Sequence, residues 1–222
     1  MALLQTFEAR IDPDHSAVVV IDMQNDFCSK DGFIEKALGR DGAACRAVAA
    51  PVMDLVGMAR AAGVPVYWVR AIYDPEKLPE GILVKRRQRT DLPCCGTGSW
   101  GAEFYEVLPL PSEHIIDKHS YSAFIGTNLE ARLRDRGIRT LIFAGVQSNV
   151  CVETSLRDAV CMGYYAVLAA DCVASYALPL HEAMIRNVES LFGDVVRRET
   201  IASAWNGGSA DQGSGKSRVA KG

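Results

Sequence analysis

Short apolar runs rich in β-branched residues recur along the chain, and a segment of helical periodicity follows most of them. Residues 17–22 (AVVVID) are such a run, as are 64–69, 114–117, 140–144 and 166–170. A run of this kind without polar alternation reads as a strand covered on both faces, the condition of a parallel sheet. Segments 42–62, 127–136, 150–162 and 180–191 carry apolar side chains at helical spacing. In the first of these they are Val48, Val52, Leu55, Val56 and Ala59, with Gly63 as a stop signal. Strands alternating with helices need crossovers of one hand. The expected fold is therefore α/β, a three-layer α/β/α sandwich around a doubly wound, mainly parallel sheet.

At 222 residues the chain can enclose a full core and a pocket, and residues 1–206 are read as a single domain. Residues 207–222 (GGSADQGSGKSRVAKG) offer almost nothing to bury and are read as a disordered tail. Between Ile72 and Gly101 the periodicity is lost while Pro, Gly and charge accumulate, which predicts a functional loop or lid. A formal charge of -3 gives no footprint for nucleic acid. No apolar run approaches the roughly eighteen residues of a membrane span, and the first residues, MALLQTFEARIDPDH, have no charged-then-apolar leader pattern. The expectation is a cytoplasmic protein that engages neither membrane nor nucleic acid. Seven cysteines at irregular spacing argue for thiols rather than a disulfide framework, and the four histidines form no compact ligand set, so no metal is expected.

In open α/β sheets ligands bind beyond the carboxyl ends of the strands. Three reactive side chains stand at such ends: Asp22 after the first run, Lys118 after residues 114–117, and Cys151 at the start of the helical segment after 140–144. A thiol reacts as its thiolate, and a helix N-terminus with a nearby ammonium is expected to lower its pKa from about 8.5. A carboxyl group beside it can take the sulfur's proton and deliver it to a leaving nitrogen, a role that suits Asp22. Backbone N–H groups of Gln147 and Cys151, in the turn before the helix, are the expected oxyanion donors. Singly, each residue has an ordinary explanation: Cys151 as packing, Asp22 as a turn former, Lys118 as solvated surface. Only their joint placement marks a site. Cys28, Cys45, Cys161 and Cys172 lack such a charge context and are read as core or incidental. The adjacent Cys94 and Cys95 do not make a CxxC redox motif.

Three blocks carry these residues: VVVIDMQNDF at 18–27, DKHSYSAFIGTNLEARLRDRGI at 117–138 and LIFAGVQSNVCVETSLRDA at 141–159. In this order they resemble the isochorismatase-like cysteine hydrolase superfamily, which includes nicotinamidases, N-carbamoylsarcosine amidase, ureidoacrylate amidohydrolase and the biuret and triuret hydrolases. The resemblance implies Asp22 as general acid/base, Lys118 as its positive partner and Cys151 as nucleophile. It also implies a non-proline cis peptide between Val146 and Gln147, placing the Gln147 amide at the oxyanion, and a homodimer or homotetramer. Isochorismatases proper, which hydrolyse a vinyl ether, typically lack this cysteine; vinyl-ether cleavage is thus the alternative to acyl transfer from nitrogen. Nicotinamidases bind a metal through an Asp-x-His pair and a further histidine after the second strand. The corresponding RAIYDPEK at 70–77 has no histidine, so neither a metal nor another cofactor is expected and a nicotinamidase-like activity is disfavoured. A non-catalytic, metabolite-binding member of the fold would have no need of all three residues.

For the substrate, KRRQRT at 85–90 offers Arg86, Arg87 and Arg89 as partners for a carboxylate or a carbonyl-rich ureide. Gln147, Ser148 and Asn149 add amide-recognising groups, and Phe27, Trp100, Tyr121 and Phe124 are candidate walls. The polar balance favours a small ureide of the biuret, triuret, ureidoacrylate or N-carbamoyl type over an aromatic amide.

Overall fold

The computed structural model describes residues 3–207. Its sheet consists of β1 (Ser16–Ile21), β2 (Val66–Ala71), β3 (His114–Lys118), β4 (Thr140–Val146), β5 (Tyr165–Ala174) and β6 (Asp194–Val196). The strand order is β3-β2-β1-β4-β5-β6, and every neighbouring pair is parallel. The chain builds outward from β1 to β3, returns to β4 beside β1, and builds outward again to β6. The β1/β4 boundary is therefore where the winding reverses and where a crevice opens beyond the carboxyl ends. This is the doubly wound sandwich that the alternating pattern predicts.

Every residue of β1 and β4 is buried, as unalternated apolar runs require. Val18 and Val20 point to one face, where they meet Val52, Leu55 and Val56 of the helix Ala49–Ala61 and Ile201 and Trp205 of the helix Arg198–Gly207. Val19 and Ile21 point to the other, against Leu129 and Leu133 of Leu129–Asp135, Leu156 of Glu153–Cys161 and Met184 of Leu178–Asn187. Fully burying each such side chain contributes about 1.5–3 kcal/mol. At the carboxyl end of the β1/β4 pair, Ile21 pairs with Gly145. Gly145 has φ +111°, and a Cβ there would stand 2.0 Å from the Ile21 carbonyl oxygen. Only glycine permits that approach.

The structure departs from the sequence reading in several places, among them the helix expected over 180–191, which is an α-helix Leu178–Asn187 ending in a π-helical turn Val188–Phe192. The helix expected over 42–62 is two helices, Ala43–Ala47 and Ala49–Ala61, broken at Val48. Pro51 explains the break: it has no N–H for the Ala47 carbonyl and its ring crowds that turn, yet it is well placed in the first turn of the second helix. The stretch expected to be irregular from Ile72 to Gly101 contains the helix Glu80–Arg87. The segment 150–162 is a π-helical turn, Ser148–Val152, leading into the α-helix Glu153–Cys161. β6 and the helix Arg198–Gly207 are additions. The tail expected from residue 207 lies outside the described residues except for Gly207, which ends that last helix. Among the described residues no helix is long and apolar enough to cross a membrane.

Candidate active site

Asp22 follows β1 in the left-handed region, φ +52°, a conformation uncommon for a residue other than glycine, while its N–H still donates to the Val69 carbonyl at 2.9 Å. Lys118 is the last residue of β3, and Cys151 lies in the π-helical turn after β4. The structure brings the three together. Lys118 Nζ is 2.9 Å from Asp22 Oδ2 with both side chains at 0% exposure, and 3.4 Å from Cys151 Sγ. The same ammonium reaches the Ser120 carbonyl oxygen at 2.9 Å and Tyr73 Oη at 3.2 Å. The peptide bond between Val146 and Gln147 is cis, as the resemblance implies.

The electrostatics follow from burial of all three groups. Burial raises the Asp22 carboxyl above its ordinary value against the pull of Lys118. Burial also opposes the Lys118 charge, but Asp22 and Cys151 more than offset it and leave the ammonium above its ordinary value. The thiol departs from the sequence expectation. Burial, and then the Asp22 carboxylate, push Cys151 up to about 12. The lowering influence of Lys118 is outweighed by the burial of the thiol, and because the α-helix starts only at Glu153, Cys151 does not occupy its first turn. At rest the sulfur holds its proton beside an Asp22–Lys118 ion pair.

Cys151 and Asp22 floor a cavity of about 110 Å³. Of the expected substrate-contacting residues, Phe27, Arg86, Arg89, Tyr121 and Gln147 line it. Arg87, Trp100, Asn149 and Phe124 do not. Arg87, the next residue after Arg86 on the same helix, is exposed to solvent and off the cavity. Trp100 is 49% exposed and serves the loop through its backbone, its carbonyl accepting from Asn25 Nδ2. Asn149 lies off the cavity, and Phe124 stacks on Tyr164 within the core on the Val19–Ile21 face of the sheet. The Gln147 side chain borders the cavity but is already engaged: its Oε1 accepts from the Tyr176 N–H at 3.1 Å, and its Nε2 approaches Cys45 Sγ at 3.3 Å. Cys45, read as core or incidental, is buried in the core and also contacts the Gln147 side chain.

Residues that sequence reasoning missed include Tyr73, Phe33 and Tyr176. Tyr73 had a usable signal, since it stands just beyond the carboxyl end of β2. Arg86 is held between rings, its guanidinium 5.3 Å from the Phe33 centroid and 4.9 Å from that of Tyr73. Burial works against its charge, but its Cys94 and Tyr73 neighbours leave it above the ordinary value, so it stays a cation. Arg89 donates to Tyr176 Oη at 3.0 Å. Among the described residues neither arginine takes part in an ion pair. The described His, Cys, Asp and Glu side chains close enough to share an ion are Asp26, Cys94 and Cys95. Both Asp26 oxygens already accept backbone N–H groups, from Phe33 and Cys95, which makes the cluster a loop clasp.

The isochorismatase domain model matches residues 16–200, which includes every residue of this site. The chain belongs to the isochorismatase family. This isochorismatase-family chain is 34% identical to ureidoacrylate amidohydrolase of Methylorubrum extorquens over 211 residues, 87% of this chain and 85% of the relative. It superposes on a cysteine hydrolase from Pseudomonas syringae pv. phaseolicola with TM-score 0.77 and 25% identity, over 93% of this chain and 98% of the other. N-carbamoylsarcosine amidase from Thermoplasma acidophilum matches with TM-score 0.67 and 27% identity, over 83% of this chain and 97% of the other. At family level these likenesses support hydrolase chemistry on small amides or ureides.

Proposed function

We propose that this protein hydrolyses a C–N bond of a small ureide that carries a carboxylate, a compound of the ureidoacrylate or N-carbamoyl amino acid kind, with Cys151 as nucleophile. The observation that carries the reading is the Asp22–Lys118 pair meeting the Cys151 sulfur at the floor of a cavity walled by two arginines that have no ion-pair partner among the described residues. Family membership supports the reaction class, and the name of the Methylorubrum extorquens relative supports the substrate class.

The Cys151 sulfur adds to the ureide carbonyl while its proton passes to Asp22, whose burial makes it an unusually receptive carboxylate. Lys118 stays protonated and balances the charge carried by sulfur. The amides of Gln147 and Cys151 hold the oxyanion. The C–N bond breaks as Asp22 gives its proton to the departing nitrogen, leaving a thiocarbamate on Cys151. Water then adds to that carbonyl and gives a proton to Asp22. The carbon–sulfur bond breaks, and the thiol regains its proton. Arg86, positioned against the Phe33 and Tyr73 rings, and Arg89 grip the carboxylate at the other end of the substrate.

Release of ammonia or amine from ureidoacrylate, N-carbamoyl amino acids, biuret, triuret, nicotinamide and simple aliphatic amides tests this directly. Turnover of the carboxylated ureides above the neutral ones, lost in Cys151→Ala, supports the proposal. Equal turnover of neutral and carboxylated substrates removes the anion-binding role, and turnover by Cys151→Ala removes the mechanism.

A further inference from the structure

The reaction above makes no use of the Tyr73 hydroxyl, although that group touches both the cation and the nucleophile of the site. Tyr73 Oη lies 3.2 Å from Lys118 Nζ, 3.6 Å from Cys151 Sγ and 3.3 Å from the Ser120 carbonyl oxygen, on a side chain 5% exposed. Its position is fixed from several directions. The Tyr73 N–H donates to the Cys95 carbonyl at 2.9 Å, the ring meets Phe27 edge-on with centroids 6.4 Å apart, and Arg86 covers its face. Upstream, Gln24 clamps Ala71, giving its Nε2 to the Ala71 carbonyl at 2.9 Å and accepting the Ala71 N–H at 2.8 Å.

A count of donors shows what the hydroxyl is free to do. An ammonium has three hydrogens, and Lys118 faces four acceptors: Asp22, the Ser120 carbonyl, Tyr73 Oη and Cys151 Sγ. At 2.9 Å, Lys118 already satisfies the Ser120 carbonyl, so that oxygen does not require the phenol's proton. Donation from Lys118 into Tyr73 Oη polarises the O–H bond and makes it a better donor. A neutral thiol is a weak acceptor and a thiolate a strong one, so a hydrogen bond to sulfur gains strength as charge develops there.

We propose that Tyr73 is a further catalytic residue of this site: its hydroxyl, polarised by Lys118, turns from the Ser120 carbonyl to the Cys151 sulfur as the thiol gives its proton to Asp22, and becomes the second donor to the attacking thiolate. Tyr73 keeps its own proton throughout. The inference rests on the reading of Cys151 as nucleophile.

The test is Tyr73→Phe, which preserves the ring contacts with Phe27, Arg86 and Lys118 and removes only the oxygen. The first readout needs no substrate: the pH dependence of Cys151 alkylation by iodoacetamide, followed on the Cys151 peptide by mass spectrometry. The second is kcat and KM for ureidoacrylate hydrolysis. In Tyr73→Phe the alkylation profile moves to higher pH, and kcat falls on the order of ten- to hundredfold with KM nearly unchanged, the scale of a hydrogen bond to a charged group. If the phenylalanine variant does not fold, 3-fluorotyrosine at position 73, a more acidic phenol, moves the profile to lower pH. An unmoved alkylation profile in the variant overturns the proposal even if kcat falls, because the hydroxyl then acts on something other than sulfur. A change confined to KM overturns it as well. Full turnover by Cys151→Ala brings down the functional reading and this inference together, and is distinguished from the other outcomes by the mutant that produces it.

Discussion

Lys118 and Asp22 form an ion pair at 2.9 Å with neither side chain reached by solvent. Removing one partner leaves the other charged in a dry interior, which typically costs about 3–5 kcal/mol, whereas replacing both can be near neutral. Lys118→Met is therefore expected to lower stability by about that amount. Asp22→Leu combined with Lys118→Met should recover most of it while remaining inactive. Urea unfolding of the single and double variants checks this; a double variant no more stable than Lys118→Met would contradict it.

The acid limb of activity belongs to Asp22. The carboxylate must be ionised to take the Cys151 proton, and burial raises its pKa, so kcat/KM is present above the raised value and lost as pH falls through it. The limb is expected above 3.8, the ordinary aspartate value. With the thiol pushed up to about 12, ionisation of Cys151 in the free enzyme cannot supply that limb. A pH–rate profile whose limb lies at or below the ordinary value would contradict the assignment.

The arginines separate by direction. Arg86 stands on the cavity wall between two rings, while Arg87, one residue on, is exposed and off the cavity. Arg86→Leu is expected to raise KM for a carboxylated ureide at least tenfold, as loss of a charge-assisted hydrogen bond would. The effect on a neutral ureide should be much smaller, and Arg87→Ala should change neither. Steady-state kinetics on ureidoacrylate and biuret distinguish these outcomes.

How much of this is legible in the sequence depends on the range of the forces involved. β1 and β4 show themselves because strands buried on both faces leave unbroken apolar runs, and Asp22, Lys118 and Cys151 are found by looking at the ends of such runs. The helix Glu80–Arg87 is hidden because it offers the core only Ile82 and Leu83, adjacent and partly buried, and two neighbours make no period. Which of Arg86, Arg87 and Trp100 faces the cavity depends on where Phe33 and Tyr73 come to rest, segments far away in the chain. The direction of the Cys151 shift is illegible for a related reason. Helix position and a nearby lysine can be read from sequence, but the desolvation that outweighs them exists only once the chain has packed.

Gly145 links the fold to the site. A Cβ there would meet the Ile21 carbonyl at 2.0 Å, in a backbone conformation that side chains avoid, two residues before Gln147 and beside the strand that Asp22 follows. Gly145→Ala is expected to destabilise the protein by about 3 kcal/mol or more. Thermal unfolding measures it, and a loss below about 1 kcal/mol would show that β1 and β4 can separate there freely.

The central claim is that catalysis passes through a covalent bond to Cys151, and the most direct measurement is acid-quenched mass spectrometry of the protein during turnover of ureidoacrylate. The Cys151 peptide is expected to carry the acyl part of the substrate during turnover, to lose it once substrate is exhausted, and to show no adduct or turnover when the protein is Cys151→Ala. Product accumulating while Cys151 stays unmodified, with Cys151→Ala as active as the parent, would contradict the account.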